Sequence, residues 1–202
     1  MSNLAGRLAT IKVSGGPLSF TGEATTTTDD QNYQITDTAK RVWDRDTEPT
    51  VLEDASATTE DYTVNKLNGT ITFATADALR GEVTVTGNYL PMSTATYAHD
   101  FSYARGVELM DVTAFLATHY KRLPGTKFAS GTLSQFDMTD TYYADALVAG
   151  DPVVVEFVSD SGTDPIRVWA LLESDEISAA IDNPQDEVVS FISTDELLNL
   201  GG

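Results

Sequence analysis

His99-Asp100 is the one adjacent histidine–carboxylate pair in the chain, and His119 is the only other histidine. Nucleophilic catalysis would need a serine on a strained turn within reach of such a base, and no Gly-x-Ser-x-Gly element is present. His99 therefore reads as a half-buried strand residue. A zinc site takes about three well-placed ligands, which two distant histidines without a cysteine do not provide. Asp137-Met138-Thr139-Asp140 and Asp160-Ser161-Gly162-Thr163-Asp164 offer oxygens of the kind calcium takes. Neither has EF-hand spacing, and Asp/Gly clusters are ordinary turns. Gly15-Gly16 lacks the lysine and the further spacing of a phosphate loop. Asn68-Gly69-Thr70 is formally a glycosylation sequon, but a tight turn explains it without a sugar. Tyr97, Phe101 and Tyr103 recur at period two, which suits a carbohydrate-binding face or, more commonly, a sheet core. Lys121-Arg122 reads as a solvated turn or a contact with a neighbouring subunit's acids. The expectation is a non-enzyme with no catalytic residue, no metal and no cofactor.

The elements that would position these side chains are mostly strands. The organising stretch is a hairpin from Asp61 to Ala74, in which Asn68-Gly69 supplies the two positive-φ positions of a type I′ turn. A two-residue loop places Val64 opposite Phe73 and Lys66 opposite Ile71. Tyr62, Val64, Ile71 and Phe73 then share an apolar face, while Thr63, Asn65, Thr70 and Thr72 share a hydroxyl-rich one. That pattern suits an antiparallel sheet packed on one side.

Leu8 to Val13 reads as a first strand closed by Ser14-Gly15-Gly16-Pro17, with Leu18 to Phe20 starting the return. Thr25 to Asp30 has no apolar partner and reads as a loop or exposed edge. Tyr33 to Ile35 and Arg41 to Trp43 read as two short strands, after which a polar stretch from Asp44 to Pro49 leads to Val51-Leu52 and a loop, Ala55 to Glu60. Glu82 to Leu90 alternates clearly, with Gly87 as a bulge or close approach. Thr96 to Tyr103 is a further strand, Val107 to Tyr120 is ambiguous between strand and short helix, and Lys121 to Gly125 is a turn. Phe128 to Phe136 is a strand. A helix is expected at 139–149, started by Asp137 or Thr139, ended by Gly150, with Tyr143, Ala146 and Leu147 forming its buried stripe. The segment 152–192 is β-rich: a central strand Val153 to Val158, its partner Ile166 to Leu172, and a hairpin of Glu176 to Ile181 and Glu187 to Ile192 around Asn183 to Asp186. No internal repeat or linker is visible. The prediction is a mainly β, antiparallel sandwich or barrel with one flanking helix, forming a single domain over 1–202.

Composition narrows the function. Hydrophobic residues make up 41% of the chain, enough for a core, and no apolar run approaches membrane-spanning length. The first residues lack the apolar stretch of a secretory signal. Against 31 acidic residues stand 12 basic ones, for a net charge of −19. Binding to nucleic acid rests on phosphate neutralisation and needs the opposite sign. An acidic surface suits either a salt-rich host, where screening is strong, or a surface past which another polyanion slides without sticking.

Taken in order, the stretches resemble those of the tail tube (major tail) proteins of long-tailed, siphovirus-like viruses. The resemblance runs through Ala5 to Val13 with its Gly-Gly turn, Tyr33 to Asp37, and the Tyr62-to-Phe73 hairpin. It continues through Val83 to Pro91, Leu109 to Thr113, and the helix end Leu147 to Pro152 before the Val153-to-Phe157 strand. Ala114 to Lys121 departs from it, being more apolar and aromatic. The resemblance implies rings of six subunits stacked into a tube in the virion tail, assembled in the host cytoplasm. Double-stranded DNA would pass through in transit without being bound, and no membrane is involved. Other tail proteins (tape measure, terminator, distal tail protein) would be its partners. Tyr62, Val64, Ile71, Phe73, Val83, Val85 and Tyr89, within 61–90, become candidate inter-subunit barrel residues. Leu4, Leu8, Ile11 and Val13, within the arm and first strand at 1–13, become candidate ring-stacking residues. A tail terminator or distal tail protein is the sister alternative, and a cell-surface adhesion or carbohydrate-binding sandwich the outside one.

Overall fold

The computed structural model describes residues 10–95, 97–113, 118–136, 142–158, 165–180 and 183–199. Its strands in chain order are β1 (Thr10–Ser14), β2 (Leu18–Thr27), β3 (Asn32–Ile35), β4 (Thr50–Glu53), β5 (Ser56–Ala57), β6 (Tyr62–Asn65), β7 (Thr70–Phe73) and β8 (Val83–Tyr89). They continue with β9 (Met92–Thr94), β10 (Ala98–Asp111) and β11 (Arg122–Gln135), then the helix α1 (Tyr142–Ala149), β12 (Val153–Val158), β13 (Ile166–Ala180) and β14 (Asn183–Asn199). The fold is antiparallel β-structure in two seven-stranded sheets with one helix, as the alternation and turn spacing imply.

By contacts the chain divides into two compact units, Ser14–Ser93 and the remainder, Met1–Val13 with Thr94–Gly202. The sequence carries no linker at either crossing, because the chain passes between units along neighbouring strands, β1 and β9. Composition therefore signals nothing there.

The unit Ser14–Ser93 holds the sheet β5-β4-β8-β2-β3-β7-β6. Its core joins Phe20, Tyr33, Ile35, Trp43, Val51, Ile71, Phe73, Val83 and Val85. Trp43 is buried whole, its indole N–H donating to the Lys40 carbonyl at 2.9 Å. Leu18 to Phe20 does not return onto β1 but opens β2, which pairs with β8. Thr25, Thr26 and Thr27 are also strand rather than loop, paired with Ile35, Gln34 and Tyr33. Branched threonines suit a pleated, half-buried surface without any apolar alternation. Arg41 to Trp43 is not a strand. A 3-10 turn at Thr38–Lys40, capped by the Asp37 carboxylate at 3.0 Å from the Ala39 N–H, precedes it, and Trp43 makes a lone bridge to Tyr89.

In the hairpin, Tyr62 lies opposite Phe73, Val64 opposite Ile71 and Asn65 opposite Thr70. The register is shifted by two residues from that of a type I′ turn. The loop has four residues, Lys66 to Gly69, begun by a 3.3 Å bond from the Asn68 N–H to the Asn65 carbonyl. Gly69 alone of them takes positive φ, at 59°. Four-residue hairpin loops are commonly built this way. A slip of two keeps every side chain on its face, so the predicted apolar and threonine faces survive.

The other sheet runs β10-β11-β14-β13-β12-β1-β9. Ile11, Val13, Ala129, Leu133, Val153, Val155, Val168, Ala170, Val189 and Phe191 form the core of this unit, with Tyr143 of α1 added. Within α1, Ala146 packs against the same core and Gly150 closes the helix with φ 71°, its N–H donating to the Ala146 carbonyl at 2.9 Å. The predicted start of the helix, Asp137 to Thr141, lies outside the described residues. Val153 to Val158 is interior, between β1 and β13, as its unbroken apolar run implies. Ile166 to Leu172 and Glu176 onward are one strand rather than two, continued through a register shift near Leu172 to Ser174. Asn183 to Asp186 is ladder and not turn, since Asn183 pairs with Ala180 and Asp186 with Ser178. Lys121 to Gly125 likewise is not a turn. Arg122 to Gly125 belongs to β11, with Pro124 opposite Leu109 at a register shift, where a missing N–H is tolerated.

Candidate functional site

The seven residues read as inter-subunit barrel positions lie together in the unit Ser14–Ser93, with their side chains inside it. Ile71, Phe73 and Val85 are fully buried and Val83 nearly so; Tyr62, Val64 and Tyr89 pack on the same core half-buried. Phe73 meets Tyr33 edge-on at 5.5 Å between ring centroids, and Tyr62 packs on it at a tilt at 6.0 Å. The Arg80 guanidinium lies 3.7 Å over the Phe73 ring and donates to Glu60 at 2.8 Å. These side chains are committed to their own core. Both edges of β8 are occupied, by β4 and β2, whereas β6 is an open edge of its sheet. Of the ring-stacking candidates, Ile11 and Val13 are buried in the core of the other unit, and Leu4 and Leu8 lie outside the described residues.

The groups with chemical potential are engaged structurally. His99 does not pair with Asp100, whose carboxylate accepts from the Phe101 N–H at 2.9 Å. Its Nε2 instead lies 2.9 Å from an Asp186 oxygen across the sheet, and its ring stacks on Phe136 at 4.1 Å. Phe101 stacks on Phe157 at 5.1 Å and Tyr103 packs on the same core, so two members of the aromatic row fill the sheet interior, while Tyr97 is exposed. Asn68 of the sequon accepts from the Gln34 carboxamide through both its carbonyl and its side chain, at 3.0 and 2.9 Å. Among the described residues no group of three histidine or acidic side chains could hold a metal. The acidic clusters Asp137 to Asp140 and Asp160 to Asp164 lie outside them.

Sequence reading missed a cross-strand ionic row. Lys12, Glu156 and Arg167 are direct register partners on β1, β12 and β13. Glu156 is buried and bridges Lys12 Nζ at 2.8 Å and Arg167 Nε at 2.6 Å. Burial pushes its carboxyl up, but the bonds from Lys12 and Arg167 outweigh that and leave it below the ordinary value. Period two in three separated strands was the only sequence signal, and register was needed to align them. Elsewhere in the sheet, the Gln135 carboxamide donates to the buried carboxylate of its register partner Glu187.

Also missed was the form of β10 and β11. Among the described residues β10 is a 14-residue strand at the edge of its sheet. Its partner β11 pairs with β14 only from Ser130 to Gln135, whereas β10 and β11 pair onward to Asp111 and Arg122. From Arg105 and Ala129 outward the two strands thus form a ribbon beyond the rest of the sheet. Val107, Leu109, Met110, Val112, Tyr120 and Leu123 are exposed on it.

The sequence matches no family model and no curated relative. Among solved structures, it is similar to a chain in the tail of an empty gene transfer agent particle with six-fold symmetry, at 13% identity and a TM-score of 0.46, over 54% of this chain and 86% of that one. It is also similar to a chain in the virion of a native gene transfer agent particle, at 15% identity and a TM-score of 0.45, over 52% and 86%. Likeness at that level does not establish a shared fold.

Proposed function

We propose that the chain is a structural, non-enzymatic subunit of a viral tail tube: six copies close a ring, rings stack, and the acidic tube conducts DNA without binding it. The observation that carries this reading is the open β10 edge. Among the described residues this 14-residue strand has a partner on one side alone, and an unpaired strand edge is a liability that closure into a barrel removes. At the far side of the same sheet lies the three-residue β9, beside β1. Pairing β10 of one copy with the β9–β1 edge of the next is a heterologous contact, which closes into a ring when the rotation allows. The order of motifs that resembles tail tube proteins supports the same reading. A net charge of −19 per copy, repeated around a ring, repels phosphate along the whole passage.

The seven barrel candidates then act from inside, by giving each subunit a rigid core, and β10 takes the joint between subunits. Amide hydrogen exchange tests this. Concentrated protein should assemble, and the amides of β10 should gain protection in the assembled fraction relative to monomer. Assemblies in which β10 exchanges as fast as in the monomer would contradict it.

A further inference from the structure

A cavity of about 300 Å³ lies at the end of the β6–β7 hairpin away from its turn, lined by Gln31, Asp61 to Thr63 and Thr72 to Ala74. That volume is at the small end for a ligand site, and the lining is mostly apolar. Its polar side chains share one property: their hydrogens are already used. The Thr72 hydroxyl donates to the Asn32 Oδ1 at 2.6 Å, a direction fixed because the Asn32 Nδ2 itself donates to Asp29 at 2.6 Å. The Gln31 Nε2 donates to the Phe73 carbonyl at 3.0 Å, which leaves its Oε1 as an acceptor. The Thr63 hydroxyl turns its hydrogen to the Thr72 carbonyl at 3.5 Å. Asp61 adds an exposed carboxylate that takes no hydrogen bond or ion pair from any described residue. The cavity therefore presents acceptors and a single negative charge in apolar surroundings.

We propose that this cavity binds a primary ammonium group carried on a short aliphatic chain. Asp61 is the counter-charge, and the Thr63, Thr72 and Gln31 oxygens accept the remaining N–H groups. Donor and acceptor inventory decides the ligand class. An ammonium brings three donors and no acceptor, the complement of what the lining offers. Its bond to a carboxylate is charge-assisted and roughly twice as strong as a neutral one. A neutral polyol brings acceptors as well as donors, and its acceptors would find few hydrogens here. An anion would meet Asp61 and no cation. The alkyl chain occupies the apolar part of the lining, where covering it is favourable. A net charge of −19 gathers cations around the whole chain, but only this cavity pairs the charge with spent donors.

Titration of the dilute full chain with n-butylammonium, followed by amide NMR in moderate salt, tests the proposal. The expected result is a saturable shift shared by the amides of Gln31, Asp61, Thr63 and Thr72. Asp61→Asn keeps the shape of an exposed side chain, so its thermal melt should match wild type while affinity falls about tenfold or more. Thr63→Val, which removes one acceptor and keeps the β-branch, should cause a smaller loss. Two probes separate charge from donors. n-Butanol carries the chain and a donor without the charge, and tetramethylammonium carries the charge without a donor. Each should bind about tenfold or more weakly than n-butylammonium. Shifts spread over the acidic surface without saturation would overturn the proposal, as would an Asp61→Asn variant that binds like wild type. Equal binding of n-butanol, tetramethylammonium or methyl glucoside would overturn it too. None of these outcomes bears on the tube reading, which rests on β10.

Discussion

Glu156 is the residue where burial and charge meet most sharply. Its carboxylate has left water, and two cations in register with it on neighbouring strands compensate. Removing one charge from such a set exposes the desolvation cost of the others, so Glu156→Gln should destabilise the chain by about 2–4 kcal/mol in urea unfolding at pH 7. The folded-state pKa lies below the ordinary 4.5, so the stabilisation is fully present above about pH 5 and is lost as pH falls through the folded value. The wild-type advantage over Glu156→Gln should therefore shrink between pH 5 and pH 3; an advantage constant across that range would contradict the ionic account. Asp29 offers a second check. Its side chain takes a bond from the Asn32 carboxamide at 2.6 Å and from the N–H groups of Asn32 and Gln31 at 2.7 and 3.1 Å, which lowers its pKa to about 2. NMR titration should find that midpoint, and Asn32→Ala should raise it toward 3.8; no movement would mean the bonds do not set it.

At the scale of elements, the hairpin shows what local sequence specifies and what it leaves open. Asn68-Gly69 marks a turn, and the alternation marks its faces. Two registers two residues apart share those faces, so pattern alone does not choose between them. The four-residue loop prevails because Leu67 is buried in it and the Lys66 carbonyl accepts from the Trp43 N–H at 2.7 Å. Neither contact is visible from the hairpin's own residues. The two loops predict different mutants. At Gly69 a Cβ would stand 2.9 Å from the Arg41 Cα and carbonyl oxygen, on a backbone with φ 59°, so Gly69→Ala should cost about 2 kcal/mol or more. Asn68 has no positive φ, so Asn68→Ala should cost only the bond its side chain accepts from Gln34, about 1 kcal/mol. Equal and large losses at both positions, read from thermal melts, would favour the two-residue turn. Elsewhere the helix end was legible because Gly150 does one local job. Thr25 to Thr27 and Arg122 to Gly125 were not, because they carry no apolar alternation of their own and become strands only through the partners they pair with. Apolar positions such as Val83 and Ile11 read equally well as core or as interface from pattern alone, and within this chain both are buried.

On the scale of the whole molecule, the unit Ser14–Ser93 is one contiguous stretch with its own core and closely spaced ends, Gly15 N–H bonding the Pro91 carbonyl at 2.8 Å. Such a stretch has what independent folding requires. A fragment of residues 14–93 should show a cooperative urea transition, and a featureless one would mean the chain folds only as the single domain that its lack of a linker suggests. Acidity belongs to this scale too. On the tube reading the net charge of −19 serves DNA passage, adaptation to salt is the other reading of it, and assembly across a salt series separates the two. The most direct test of the tube reading is negative-stain electron microscopy of the pure chain at high concentration through that series. Hollow tubes or six-fold rings with an open centre are the predicted result. Monodisperse monomers at every salt and every concentration would contradict it.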